Sequence, residues 1–145
     1  MNEINIPNSH SDHSINKKNL KTYCKDVLNY NGYNSYSISL IFVDQDELRE
    51  MKNEYFKKNV YTDIIAFNLN DDNEELDGEL YLSFETIKNN ATLYNESSEN
   101  EIKRVVAHGL LHLIGYKDDN GARKKEMTKI EDHCIKLFKH ITLIC

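Results

Sequence analysis

Between Glu101 and Asp119 the chain reads E-I-K-R-V-V-A-H-G-L-L-H-L-I-G-Y-K-D-D, and this run limits both fold and chemistry more tightly than any other. Ile102, Val105, Val106, Leu110, Leu113 and Ile114 recur at helical spacing and form a broad apolar face. Ser98 with Glu101 has the S-x-x-E form of a capping box, so a helix is expected from there to about Ile114, stopped by Gly115. Glu101, Arg104, His108 and His112 fall on a different stripe of the same helix. Residues four apart stand roughly 5–6 Å from each other at Cβ, close enough for two imidazoles to share one transition-metal ion. A pair spaced this way also occurs on plain surface helices. Here the helix is otherwise apolar, a glycine turn follows, and Asp118 and Asp119 supply oxygen donors just beyond it, which favours the metal reading. His133 and His140 lack that setting and are expected to face solvent.

A chain of 145 residues is long enough to bury a core without disulfides, and one domain over 1–145 is expected. Cys24, Cys134 and Cys145 are widely spaced and form no C-x-x-C, so they predict reduced thiols rather than a zinc knuckle or a redox dithiol. The polar start M-N-E-I-N-I-P-N lacks the pattern of a signal peptide, and no apolar run approaches a membrane span of about 20 residues. A cytoplasmic protein with no membrane partner is the expectation. The formal net charge of -6 argues against a broad basic surface for nucleic acid but allows a local patch.

Read in order, residues 2–7 form a short edge strand through Ile4 and Ile6, and Leu20, Cys24, Val27 and Leu28 mark a helix from Ser14 to Tyr30. Tyr36 to Val43 alternates and then turns continuously apolar, as a buried strand does. Asp44 with Glu47 starts a helix to about Tyr55, and Lys57 and Lys58 open a polar connection. Thr62 to Leu69 reads as a second buried strand, N-D-D-N-E-E-L-D as an exposed acidic loop, and Gly78 to Ser83 as a further strand. A helix from about Glu85 to Tyr94 precedes the histidine helix. Asp119 or Asn120 then caps a last helix with a stripe of Met127, Ile130, Cys134, Leu137, Phe138 and Ile141. The fold class is α+β, a small mixed sheet of about four strands with about five helices, carrying its metal site on a helix and the following turn.

The run from His108 to Asp118, H-G-L-L-H-L-I-G-Y-K-D, resembles the signature H-G-x-L-H-L-x-G-Y-D-H of the YbeY family, bacterial metal-dependent endoribonucleases of ribosomal RNA maturation. Y-T-D-I-I-A-F, residues 61–67, resembles that family's P-T-D-V-L-S-F strand, and Gly78 to Ser83 resembles its G-D-I-x-I-S strand. The resemblance covers nearly the whole chain. It implies one zinc held by His108, His112 and the residue at the third-ligand place, usually histidine and here Asp118. A carboxylate there lowers the charge of the loaded site by about one unit and predicts tolerance of Mn²⁺.

The resemblance further implies cleavage of single-stranded rRNA by water activated at the metal, with the small ribosomal subunit or its proteins as partner, in rRNA processing and ribosome quality control. The family's usual arginine aligns with Phe56, which leaves Lys57, Lys58 and Arg104 as candidates to contact phosphate. Two other readings compete. A zinc peptidase of the H-E-x-x-H type needs a glutamate where this chain has Gly109. A ribosome-assembly factor with a structural metal needs a fourth protein ligand, for which Asp119 is the candidate.

Overall fold

The computed structural model describes residues 2–7, 14–70 and 75–145. The elements run β1 (Asn2–Asn5), α1 (Lys17–Tyr30), β2 (Tyr36–Phe42), α2 (Gln45–Phe56), β3 (Ile64–Asn68), β4 (Leu76–Leu82), α3 (Phe84–Leu93), α4 (Ser98–Ile114) and α5 (Gly121–Leu137). The strands make one sheet in the order β1-β2-β4-β3. β1 and β4 lie parallel to β2, and β3 runs antiparallel to β4 at the sheet edge, so this is the mixed sheet expected for an α+β chain.

Alternation along β2 and β4 decides which face is covered. Tyr36, Ile38, Leu40 and Phe42 with Leu76, Leu80 and Leu82 are buried on one side, where α1 and α4 close the core. α4 is its central helix: Ile102, Val105, Val106, Leu110 and Leu113 lie in the core, and Ala107 and Leu111 are buried as well. Beyond its first turn and Ile114, what stays partly accessible on it is the stripe holding Arg104, His108 and His112.

Several boundaries differ from expectation for local reasons. α1 starts at Lys17 because Asn16 caps it, its side chain accepting from Asn19 N at 3.0 Å. The preceding residues pair instead with the chain's end, through the bridge between Ile15 and Ile144. The cap of α4 is Ser97, whose Oγ accepts from Asn100 N at 3.0 Å, while Glu101 is buried rather than reaching back to a cap. β3 is an edge strand in which Ile65 alone is buried, not a strand covered on both faces. β4 begins at Leu76, before the Gly78 start expected for it. Of the predicted acidic loop, residues 71–74 lie outside the described residues. In the α5 stripe Met127 and Cys134 are buried, Leu137 is exposed, and Ile141 packs in the core beyond the helix end.

The polar connection at Lys57 and Lys58 is exposed as expected, and Lys57 ends α2 in the left-handed conformation with φ 56°. His133 and His140 are exposed too. Cys24 and Cys134 are free and buried, and burial pushes the Cys134 thiol up to about 11, which removes it from thiolate chemistry at neutral pH. Among the described residues no helix is long and apolar enough to cross a membrane.

Candidate metal centre

α4 brings the two histidines together by its own periodicity. His108 and His112, one turn apart, direct their Nε2 atoms to within 3.1 Å of each other. The helix then stops at Gly115, whose φ of 120° only a residue without Cβ adopts freely. Tyr116 N donates to Leu111 O at 3.0 Å and Gly115 N to His112 O at 3.1 Å, the bonds of a Schellman turn. This reversal carries Asp118 back over the last turn, placing Oδ2 at 3.4 Å from His108 Nε2 and 3.6 Å from His112 Nε2.

Those three residues form the group that could hold a metal ion among the described residues. Zn–N and Zn–O bonds of about 2.0–2.2 Å set tetrahedral donor separations of roughly 3.3–3.5 Å, and the observed spacings straddle that range. Two imidazoles and a carboxylate are also a chemically sensible donor set for zinc or manganese. Asp119 does not join them. Its carboxylate pairs with Arg123 Nη1 at 2.9 and 3.1 Å, while Asn120 caps α5 through its side chain. A site closed by Asp119 is therefore not what the turn builds.

Behind His108 stands Glu131 of α5, 4 % exposed, with Oε2 at 2.6 Å from His108 Nδ1. A carboxylate on Nδ1 fixes the tautomer that turns the Nε2 lone pair toward the other donors. Burial of the His108 ring works against its charged form, but the hydrogen bond and charge of Glu131, then the charges of Asp118 and Asp63, outweigh it and hold the imidazole above its ordinary range. His112 sits below its ordinary range, first through burial and then through the charge on His108 beside it. The site expected from the sequence does not include Glu131. It occupies the buried face of α5 between Met127 and Cys134, and a glutamate inside an apolar stripe is the sign that could have singled it out. Replacing Glu131 with Gln is expected to weaken metal binding about tenfold, and with Ala nearer a hundredfold. Competition against a chromogenic chelator reads this directly, and unchanged affinity in both variants would remove the orienting role.

The three donors line a cleft of about 560 Å³ whose opposite wall comes from the segment Thr62 to Ala66 and whose rim carries Lys52, Phe56 and Lys58. Asp63, also unforeseen as a site residue, lines it with a carboxyl that burial pushes above the usual range against the opposing charge of His108. Of the predicted phosphate contacts, Lys58 is at the cleft and Lys57 is the neighbouring exposed residue at the end of α2. Arg104 points elsewhere: its guanidinium meets Asp132 at 2.7 Å and Glu131 at 3.5 Å.

Comparison with known proteins fits this geometry. The family model described as Endoribonuclease YbeY matches residues 5–139. The Endoribonuclease YbeY of Flavobacterium johnsoniae is 40% identical over 105 residues, 72% of this chain and 75% of that protein. Its namesake from Cytophaga hutchinsonii is 32% identical over 120 residues, 83% and 84% of the two chains. The solution structure of a Thermotoga maritima protein shares the fold, with a TM-score of 0.63 at 24% identity over 97% of this chain and 93% of that one. A family match over most of the length, on a chain that gathers His108, His112 and Asp118 at one cleft, makes this protein a member of the YbeY endoribonuclease family.

Proposed function

We propose that this chain is a single-domain, metal-dependent endoribonuclease that cuts single-stranded ribosomal RNA in small-subunit rRNA maturation and ribosome quality control. In this reading His108, His112 and Asp118 hold one divalent ion, zinc in the first instance. The observation that carries it is the convergence of the three donors in an open cleft, in a chain of this family.

When bound, the ion supplies Lewis-acid polarisation at a phosphate oxygen and offsets its charge. The remaining work belongs to the chain. Glu131 accepts from His108 Nδ1 and so holds that ring in one tautomer. Lys52 and Lys58 at the rim draw the RNA backbone toward the three donors, with Lys57 as a further candidate beside them. Arg104, already engaged by Asp132 and Glu131, supports α5 and hence the position of Glu131. Gly109 leaves no glutamate at the place a peptidase of the H-E-x-x-H type requires.

The test is cleavage of a single-stranded rRNA fragment by protein as purified, after chelation, and after return of Zn²⁺ or Mn²⁺. Chelation is expected to abolish cleavage and both ions to restore it, because the Asp118 oxygen is a harder donor than an imidazole. Asp118→His is expected to shift restoration toward Zn²⁺ and away from Mn²⁺. Cleavage that survives exhaustive chelation would overturn the metal-dependent reading. Metal binding with no cleavage of any RNA would replace it by that of an assembly factor with a structural ion.

A further inference from the structure

The rim of the cleft carries an aromatic cluster that the holding of a metal does not require. Phe56, the last residue of α2, is 44 % exposed and lines the cleft beside Lys52 and Lys58. Its ring packs near-parallel to Phe67 of β3, with centroids 6.1 Å apart and planes at 29°. Phe67 in turn meets Tyr55 and Tyr81 edge-on, at 5.2 and 5.7 Å. The Lys52 ammonium stands 4.8 Å from the Phe56 ring centroid, on a flexible stem that can swing away to a phosphate. Phe56 is thus a partly exposed ring, braced from behind by other rings and flanked by two cations, at the edge of the cleft that holds the candidate ligands.

A single exposed apolar ring is ordinary on a protein surface; what sets this one apart is its place at the cleft edge, over braced rings and beside Lys52 and Lys58. The cleft is lined by Lys52 and Lys58 on a chain of net charge -6, and since each neutralised phosphate needs a Lys or Arg, phosphate contacts there supply only part of the affinity for RNA. Stacking of bases on aromatic faces is the other source of affinity for single strands, and it fails for a duplex, whose bases already stack on each other. We propose that Phe56 is the stacking platform for one unpaired base of the RNA, with Lys52 and Lys58 taking the adjoining phosphates. The inference rests on the nuclease reading above and deepens it: the subsite supplies the preference for single strands.

The chain contains no tryptophan, so Phe56→Trp introduces a single indole at the platform, whose emission can be excited apart from that of the nine tyrosines. Binding is measured with the metal-loaded protein and a short single-stranded 2′-O-methyl oligonucleotide, either complete or with one abasic position walked along it. Expected results are an affinity of the Phe56→Trp variant for the complete strand no weaker than the parent's, quenching of its indole by that strand, and loss of the quenching for one abasic register. Phe56→Ala is expected to weaken binding of the complete strand roughly 5- to 100-fold, the range for loss of one base stack, and to leave metal binding unchanged. Phe56→Leu, which keeps an apolar cover on Phe67 but has no π face, is expected to behave like the alanine variant. The salt dependence should be shallow, a log–log slope of about 1–2 for two or three phosphates. If Phe56→Ala and Phe56→Leu bind the strand as the parent does, the subsite is wrong while RNA binding stands, and the aromatic rim is better read as a surface for protein. If the parent binds no single-stranded RNA at all, the nuclease reading and the subsite fall together.

Discussion

Replacing His112 with Ala is expected to strip the protein of its metal and lower RNA cleavage by roughly two to three orders of magnitude, with the fold intact. The size follows from what an ion contributes at a phosphodiester: several kcal/mol of charge stabilisation, at about 1.4 kcal/mol per tenfold in rate. Two donors, His108 Nε2 and Asp118 Oδ2 at 3.4 Å, remain, too few to hold a first-row ion against solvent. His112 is the better choice for truncation than His108. Its side chain is about one-third exposed, so its loss opens no cavity in the core. Losing His108 would leave the buried Glu131 carboxylate with only the longer Arg104 contact at 3.5 Å, and an under-paired buried charge costs stability in its own right. Metal content by elemental analysis, cleavage rate and thermal midpoint together separate the two effects. A His112→Ala protein that keeps its metal and cuts RNA at the parent rate would place the centre elsewhere.

The parts of the site that could be read from the sequence are those a single element fixes. His108 and His112 belong to one helix, so their approach is a property of helical spacing and needs no knowledge of the rest of the fold. Asp118 adds only a glycine turn. Glu131 and Asp63 come from α5 and from the segment before β3, and their approach to His108 depends on how α4, α5 and the sheet pack, which local periodicity does not encode. Arg104 illustrates the same limit from the other side. Its stripe on α4 follows from helical spacing, but the side chain turns to Asp132 and Glu131 because α5 packs there. Lys103 is hidden more deeply still. At 2 % exposure its ammonium donates to the Phe138 and Lys139 carbonyls just beyond α5 and pairs with Glu99 at 3.5 Å, a satisfied burial that a charge pattern alone would assign to solvent. The element order survived these surprises because strands β2 and β4 carry the period-2 and apolar patterns that few other structures satisfy, whereas β3, an edge strand, has too few buried positions to reveal its place.

Introducing a glutamate at Gly109, the change that would write H-E-x-x-H into this helix, is expected to unfold the protein rather than create a peptidase. A Cβ at position 109 would lie 2.6 Å from Ile64 Cδ1 and 3.0 Å from Leu80 Cδ2, since α4 meets β3 and β4 here with no room for a side chain. Alanine meets mainly the ends of flexible side chains, and its better helix propensity, worth about 1 kcal/mol, offsets part of the overpacking. Gly109→Ala should therefore fold with a loss of about 1–2 kcal/mol. Glutamate must in addition drive its longer stem past Ile64 and Leu80 before its carboxylate can reach the cleft that Gly109 lines, and overpacking together with a partly desolvated charge produces losses above about 4 kcal/mol. Such a loss is comparable with the whole stability of an ordinary domain, roughly 5–15 kcal/mol. Urea denaturation of Gly109→Ala and the soluble yield of Gly109→Glu measure the two steps. A soluble, cooperatively folded Gly109→Glu protein would mean that α4 does not lie against β3 as closely as described, and the wall of the metal cleft would have to be redrawn. The glycine that stands where H-E-x-x-H places its glutamate is thus the same residue that seats the histidine helix on the sheet, so the motif cannot be written in without disturbing that packing.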